Sequence, residues 1–185
     1  MAIEIVGKYL RRAVMNGHDL EARTHIVIGA TLAGLGFSNA GVHIPHSMGY
    51  PISDLIHRKR WVPSGYNVDY PMVPNGLSCT LGIPSVAKFT ACTDLEKHAL
   101  AAELLGERTE GLLVREAAMR LPEAIIKLMR DINFPNGIKD LGFTEDDIPL
   151  LVEGTLKQQR ILSCSPRPVT AKALEQIFRD SMKFW

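Results

Sequence analysis

Apolar residues at Ile5, Val6, Tyr9, Leu10, Ala13 and Val14 recur every three to four positions, with Lys8, Arg11 and Arg12 between them. That period predicts an amphipathic helix over residues 3 to 15, ended near Asn16-Gly17. Asp19 is placed to cap a second helix. The stretch that follows, EARTHIVIGATLAGLG, is apolar and rich in small residues, so it should sit deep as a core helix, with Gly34 and Gly36 permitting close contact. Residues 41 to 57 read as helical pieces interrupted by Pro45 and Pro51. Residues 58 to 74 have the Pro, Gly and Asn content of a long loop.

An apolar helix resumes after Pro74. Thr93 or Asp94 then caps LEKHALAAELLG, and helical periodicity continues across Pro122 in GLLVREAAMRLPEAIIKLMRDI. The run from Phe134 to Gly137 is a turn. Thr144 begins a capping-box variant that opens IPLLVEGTLKQQ, and Thr170 opens a last helix, AKALEQIFRDSMKFW. No convincing run of strand-type alternation and no G-x-G-x-x-G occurs, so the chain is predicted to be all-α: one helical domain over residues 1 to 185, with no nucleotide-binding sheet.

Composition narrows the partners. The 185 residues are enough to bury a real core without disulfide or metal staples. Lys and Arg number 21 against 20 Asp and Glu, a formal charge of +1, and no long basic run stands out. That balance points away from nucleic acid and anionic lipid, and towards a small molecule or a protein. No apolar run approaches the roughly 18 residues of a membrane span, so no membrane partner is expected. Cys79, Cys92 and Cys164 are odd in number and contain no C-x-x-C, which suits a reducing compartment and free, buried thiols.

The segment NAGVHIPHSMGYPISDLIH carries three histidines. On a helix, His43 and His46 would be three apart and His46 and Tyr50 four apart, so these side chains can share a face. Imidazole is a common ligand of first-row metals, but two histidines supply at most half of a site of three or four ligands. Histidines that merely satisfy a turn are the alternative. His57, His98 and His18 read as solvated, and His25 as a histidine bonded to a backbone carbonyl.

Three blocks together, GFSNAGVHIPHSMGYPIS, YNVDYPMVPNGLSCTLGIPSV and DIPLLVEGTLKQQRILSCSPRPVTAKALEQIFRDSMKFW, resemble the iron-containing alcohol dehydrogenase family. The likeness is greatest to its hydroxyacid-oxoacid transhydrogenase branch and runs from Ala2 to Trp185. It implies a two-domain oxidoreductase whose dinucleotide-binding α/β half, the part that would bind NAD(H), is absent here, and whose helical half holds Fe²⁺ or another divalent metal such as Zn²⁺. It further implies a hydroxyacid, oxoacid or alcohol substrate, exemplified by γ-hydroxybutyrate and 2-oxoglutarate, and a mitochondrial location. Family members take metal ligands from an Asp and a His four apart on one helix, from the His of an H-G-M block, and from the His of a P-H-G block. His46 matches the third ligand. Asn75 stands at the fourth, where the family has His, and the first two would lie upstream. An amide oxygen is a weak neutral donor beside an imidazole. Tyr50 matches a position near the substrate where relatives carry His or Tyr; a half-buried packing aromatic is its alternative.

Two functional expectations follow. The chain is the C-terminal portion of such an enzyme and inactive in isolation, or it is a genuine short, non-catalytic helical module. The second form would expose the face normally packed on the nucleotide domain and use it to bind a partner, such as a full-length paralogue or a second copy of itself.

Overall fold

A computed structural model describes residues 1–185. The chain is all-α, as predicted: ten α-helices, short 3₁₀ turns and no β-strand. It divides into two compact units, the first made of residues 1–41 and 90–134, the second of residues 42–89 and 135–185.

The first unit contains α1 (Ala2–Met15), α2 (Leu20–Ala40), α6 (Leu95–Leu104) and α7 (Val114–Asp131). Asp19 caps α2 as predicted, its Oδ1 accepting from the Ala22 N–H at 3.0 Å, and Arg12 of α1 pairs with Asp19 at 2.9 Å and with Glu21 at 2.7 Å. Small residues set how closely α1 is approached. A Cβ on Gly7 would lie 2.5 Å from the Leu104 carbonyl oxygen at the end of α6, and one on Gly29 would lie 2.9 Å from Ile5. Tyr9 is buried and stacks on His25 with ring centroids 4.0 Å apart, so His25 is a packing residue rather than the carbonyl-bonded one predicted. Asp94, not Thr93, caps α6 by accepting from the Lys97 N–H at 3.0 Å.

The prediction that α2 lies deep is overturned. Only Ala22 and Gly29 of its 21 residues are buried, while Val27, Leu35 and Phe37 are 66%, 61% and 53% exposed. Nothing lies within 4 Å of a Cβ placed on Gly34 or Gly36. The sequence pattern is that of a helix covered on every side, but this chain supplies cover along only the α1 side.

The second unit contains α3 (Ile44–Lys59), α4 (Asn75–Thr80), α5 (Ile83–Thr90), α8 (Ile148–Leu156), α9 (Gln159–Leu162) and α10 (Ala171–Asp180). Residues 44–59 form one helix rather than the predicted pieces. Pro45 sits in the first turn, where its missing N–H would have had no intrahelical partner. Pro51 breaks the ladder in mid-helix, but it is buried against Gly154 of α8, where packing offsets the lost bond. The helix predicted after Pro74 is split into α4 and α5 by the turn at Leu81-Gly82. Met48, Leu81, Phe143, Leu151, Leu174 and Phe178 are fully buried and form the centre of this unit. Lys59 bridges to Asp147 at 2.6 Å and lies over the Phe143 ring.

The last helix stops at Asp180, short of the predicted end. Gly137, at φ 81°, lies so close to Met182 that any Cβ would collide with its carbonyl oxygen. The Ile138 and Lys139 N–H groups bond to the Ser181 and Met182 carbonyls. Asn136 Oδ1 accepts from the Phe184 N–H at 2.7 Å and the Trp185 N–H at 2.9 Å, and its Nδ2 donates to the Trp185 carbonyl.

Candidate functional site at the start of α3 and α4

His46, Tyr50, Asp54 and Arg58 follow one another at intervals of four, which lines them along one face of α3. Their exposure differs along that face. His46 is partly buried, whereas Tyr50 is 50% exposed. Beyond Tyr50 the face borders an open cleft of about 420 Å³ between α3 and α8, lined among others by Tyr50, Asp54, Arg58, Glu153 and Lys157. Lys157 is held by Glu153 at 2.7 Å.

α3 meets α4 at Gly49. A Cβ there would lie 3.0 Å from Ser78 Oγ and 3.2 Å from Cys79 Sγ, so the two helices touch one turn after His46 and one turn after Asn75. Asn75 is the first residue of α4, and the Ser78 hydroxyl donates to its carbonyl oxygen at 2.9 Å. The Cys79 thiol donates to Asn75 Oδ1 at 3.5 Å. Burial raises the Cys79 thiol pKa above its ordinary value, against an opposing hydrogen bond with Ser78, so the sulfur stays protonated and acts as a donor.

His43 precedes α3, and its carbonyl accepts the first helical hydrogen bonds, from His46 and Ser47. It shapes the turn through its backbone; its side chain makes no cap bond. His43 Nδ1 and Ser47 Oγ are both buried without a hydrogen-bond partner. Desolvation, then the neighbouring His46, lowers the His43 pKa, and desolvation lowers that of His46, so both imidazoles are neutral near pH 7. Ser47 lacks the G-x-S-x-G context of a nucleophilic serine, and no spacing in the sequence marks its hydroxyl as buried and unpartnered.

The remaining candidates lie apart from this cluster. His57 and His18 are exposed, as predicted. His98 is not solvated as predicted: it is half-buried, bonded to the Thr90 hydroxyl at 3.1 Å and to the Asp94 carbonyl at 2.8 Å. Cys79 is buried but Cys92 and Cys164 are exposed, against the prediction of buried thiols, and none forms a disulfide.

A divalent metal does not fit the residues present. No three of the His, Cys, Asp and Glu side chains converge in a group able to hold one. His46 contributes a single imidazole, and Asn75 presents an amide oxygen already engaged by a thiol. No single helix is long and apolar enough to cross a membrane.

Comparison with known proteins gives the cluster a setting. Residues 1–182 match the Fe-containing alcohol dehydrogenase family, C-terminal. The chain is 44% identical over 184 residues to the mitochondrial hydroxyacid-oxoacid transhydrogenase of Pongo abelii and 43% identical to that of Homo sapiens. A probable transhydrogenase of Dictyostelium discoideum is 38% identical. All of this chain is covered, but it spans only 39% of the length of the first two relatives. Among solved structures, 1,3-propanediol oxidoreductase superposes with a TM-score of 0.85 at 31% identity, covering 97% of this chain and 43% of that one. The alcohol dehydrogenase of Oenococcus oeni gives 0.84 at 32%, with the same coverage. The helical architecture and the match over residues 1–182 agree: this chain belongs to the iron-containing alcohol dehydrogenase family and corresponds to its C-terminal helical domain.

Proposed function

We propose that this chain is the substrate-side helical portion of an oxidoreductase acting on small hydroxyacids, oxoacids or alcohols, and that it does not turn over by itself. The family match over residues 1–182 carries this reading. The transhydrogenase relatives, at up to 44% identity, support a hydroxyacid and oxoacid pair over a simple alcohol, and their names support a mitochondrial location. NAD(H), as the hydride carrier, belongs to polypeptide outside the matched 39%. The iron of the family name, or Zn²⁺ in its place, could call only on His46 here. To Tyr50, one turn beyond His46 and half exposed, this reading assigns a hydrogen bond to a substrate oxygen.

The test is an assay of the 185-residue chain with γ-hydroxybutyrate, 2-oxoglutarate, NAD(H) and either Fe²⁺ or Zn²⁺. No turnover is expected. Turnover that His46→Ala abolishes would overturn the assignment of incompetence.

The uncovered face of α2 favours a second reading, a non-catalytic module that docks on another polypeptide, either a longer paralogue or a second copy. No charged residue occurs from Thr24 to Gly41, so its partner surface would be apolar as well. Light scattering behind size exclusion separates the alternatives. A 20.4 kDa monomer that stays monodisperse at high concentration counts against docking, whereas self-association removed by Leu35→Gln with Phe37→Ser supports it.

A further inference from the structure

We propose that the Asn75 position has left metal chemistry and now serves to seat the Cys79 thiol, making the contact between α3 and α4 a metal-independent packing unit. This goes beyond the reading above, which concerns what the chain is part of rather than how this contact is held together.

Three observations carry it. The amide oxygen is the only atom of an asparagine side chain suited to a hard or borderline cation, and here it accepts from Cys79 Sγ at 3.5 Å. The thiol bonded to it lies in the packed contact itself, 3.2 Å from where a Gly49 Cβ would stand. Cys79 is 5% exposed, which leaves the amide oxygen, not water, as its acceptor.

The second partner is equally unsuited. A metal-bound histidine ordinarily donates its other ring N–H to a carboxylate, carbonyl or water that fixes the ring. His43 Nδ1 and Ser47 Oγ, close to His46 in the chain, are both buried without a partner, so neither accepts from its ring. Ser47, where the H-G-M block has glycine, and Asn75, where the P-H-G block has histidine, are thus two departures on one pair of packed helices. Asn75 puts a hydrogen-bond acceptor of the fold where a metal site needs an imidazole, and Ser47 adds a buried hydroxyl that has no partner.

Thermal unfolding of the full 185-residue chain tests this with ZnCl₂, CoCl₂ or EDTA, with thiol reactivity as a second readout. Saturating Zn²⁺ or EDTA is expected to move the wild-type Tm by less than about 1 °C. No tetrahedral Co²⁺ absorption is expected. In a Cys92→Ser, Cys164→Ser background, Asn75→Ala should speed modification of Cys79 by a disulfide reagent about tenfold, because the thiol loses its acceptor. Asn75→Asp should restore slow modification, since a carboxylate accepts from the same thiol. A Zn²⁺-dependent rise of several degrees in the wild type, absent in His46→Ala, would overturn the proposal. So would unchanged thiol reactivity in Asn75→Ala. Either result leaves the family assignment standing, and turnover by the chain in the assay above would sink the function reading without touching this one.

Discussion

The Cβ of Pro51 lies 2.6 Å from where a Gly154 Cβ would be, so α3 and α8 pack at a spacing that only glycine permits. The contact explains how a mid-helix proline is accommodated in α3, because the ring that breaks the ladder is also the ridge that fills the groove on α8. Gly154→Ala should destabilise the fold by about 1–3 kcal/mol through overpacking, despite the better helix propensity of alanine. Urea denaturation of Gly154→Ala, Pro51→Ala and the double variant measures it. Strictly additive effects would show that the two residues do not clash.

Asn136 gathers the C-terminal residues through three hydrogen bonds, two accepted by Oδ1 and one donated by Nδ2. Asn136→Ala removes both roles and is expected to cost about 1–3 kcal/mol, largely from backbone groups of Phe184 and Trp185 that lose their partner. A chain truncated after Met182 should lose a similar amount. Calorimetry of the two variants settles it, and a truncation with no effect on Tm would show that the strap contributes nothing.

Ser47 is fully buried, and its hydroxyl has no partner. Removing such a group while keeping the rest of the side chain relieves a desolvation penalty, so Ser47→Ala should raise stability by roughly 1 kcal/mol. A loss of stability on this substitution would mean that the hydroxyl has a partner in solution.

His43 and His46 both have pKa values lowered below their ordinary 6.5, mainly by desolvation. The unfolded chain therefore binds more protons than the folded one at mildly acid pH. Their contribution to stability is fully present above about pH 6.5 and is lost as pH falls through the lower folded-state values. Denaturation midpoints followed from pH 7.5 to 5 should fall, and should fall less steeply in His43→Gln. An identical slope in the two proteins would place the titrating group elsewhere.

Local pattern determined much of this protein. The period of α1, the caps at Asp19 and Thr170, the turn at Gly137 and the all-α class all depend on interactions within a few residues, and those are written in the chain itself. The likeness of HSMGYP to the family's H-G-M block is local in the same way, a short linear motif. Tertiary structure decided the rest. Pro51 was read as a break because its cost is local while its compensation, Gly154, lies about a hundred positions away. His98 was read as solvated because its acceptor and donor come from the turn that folds over it. The bond from the Cys79 thiol to the Asn75 amide oxygen is visible only once the turn of α4 is built. The apolar character of α2 was read correctly but its burial was not, because hydropathy states only that a surface avoids water and not what covers it.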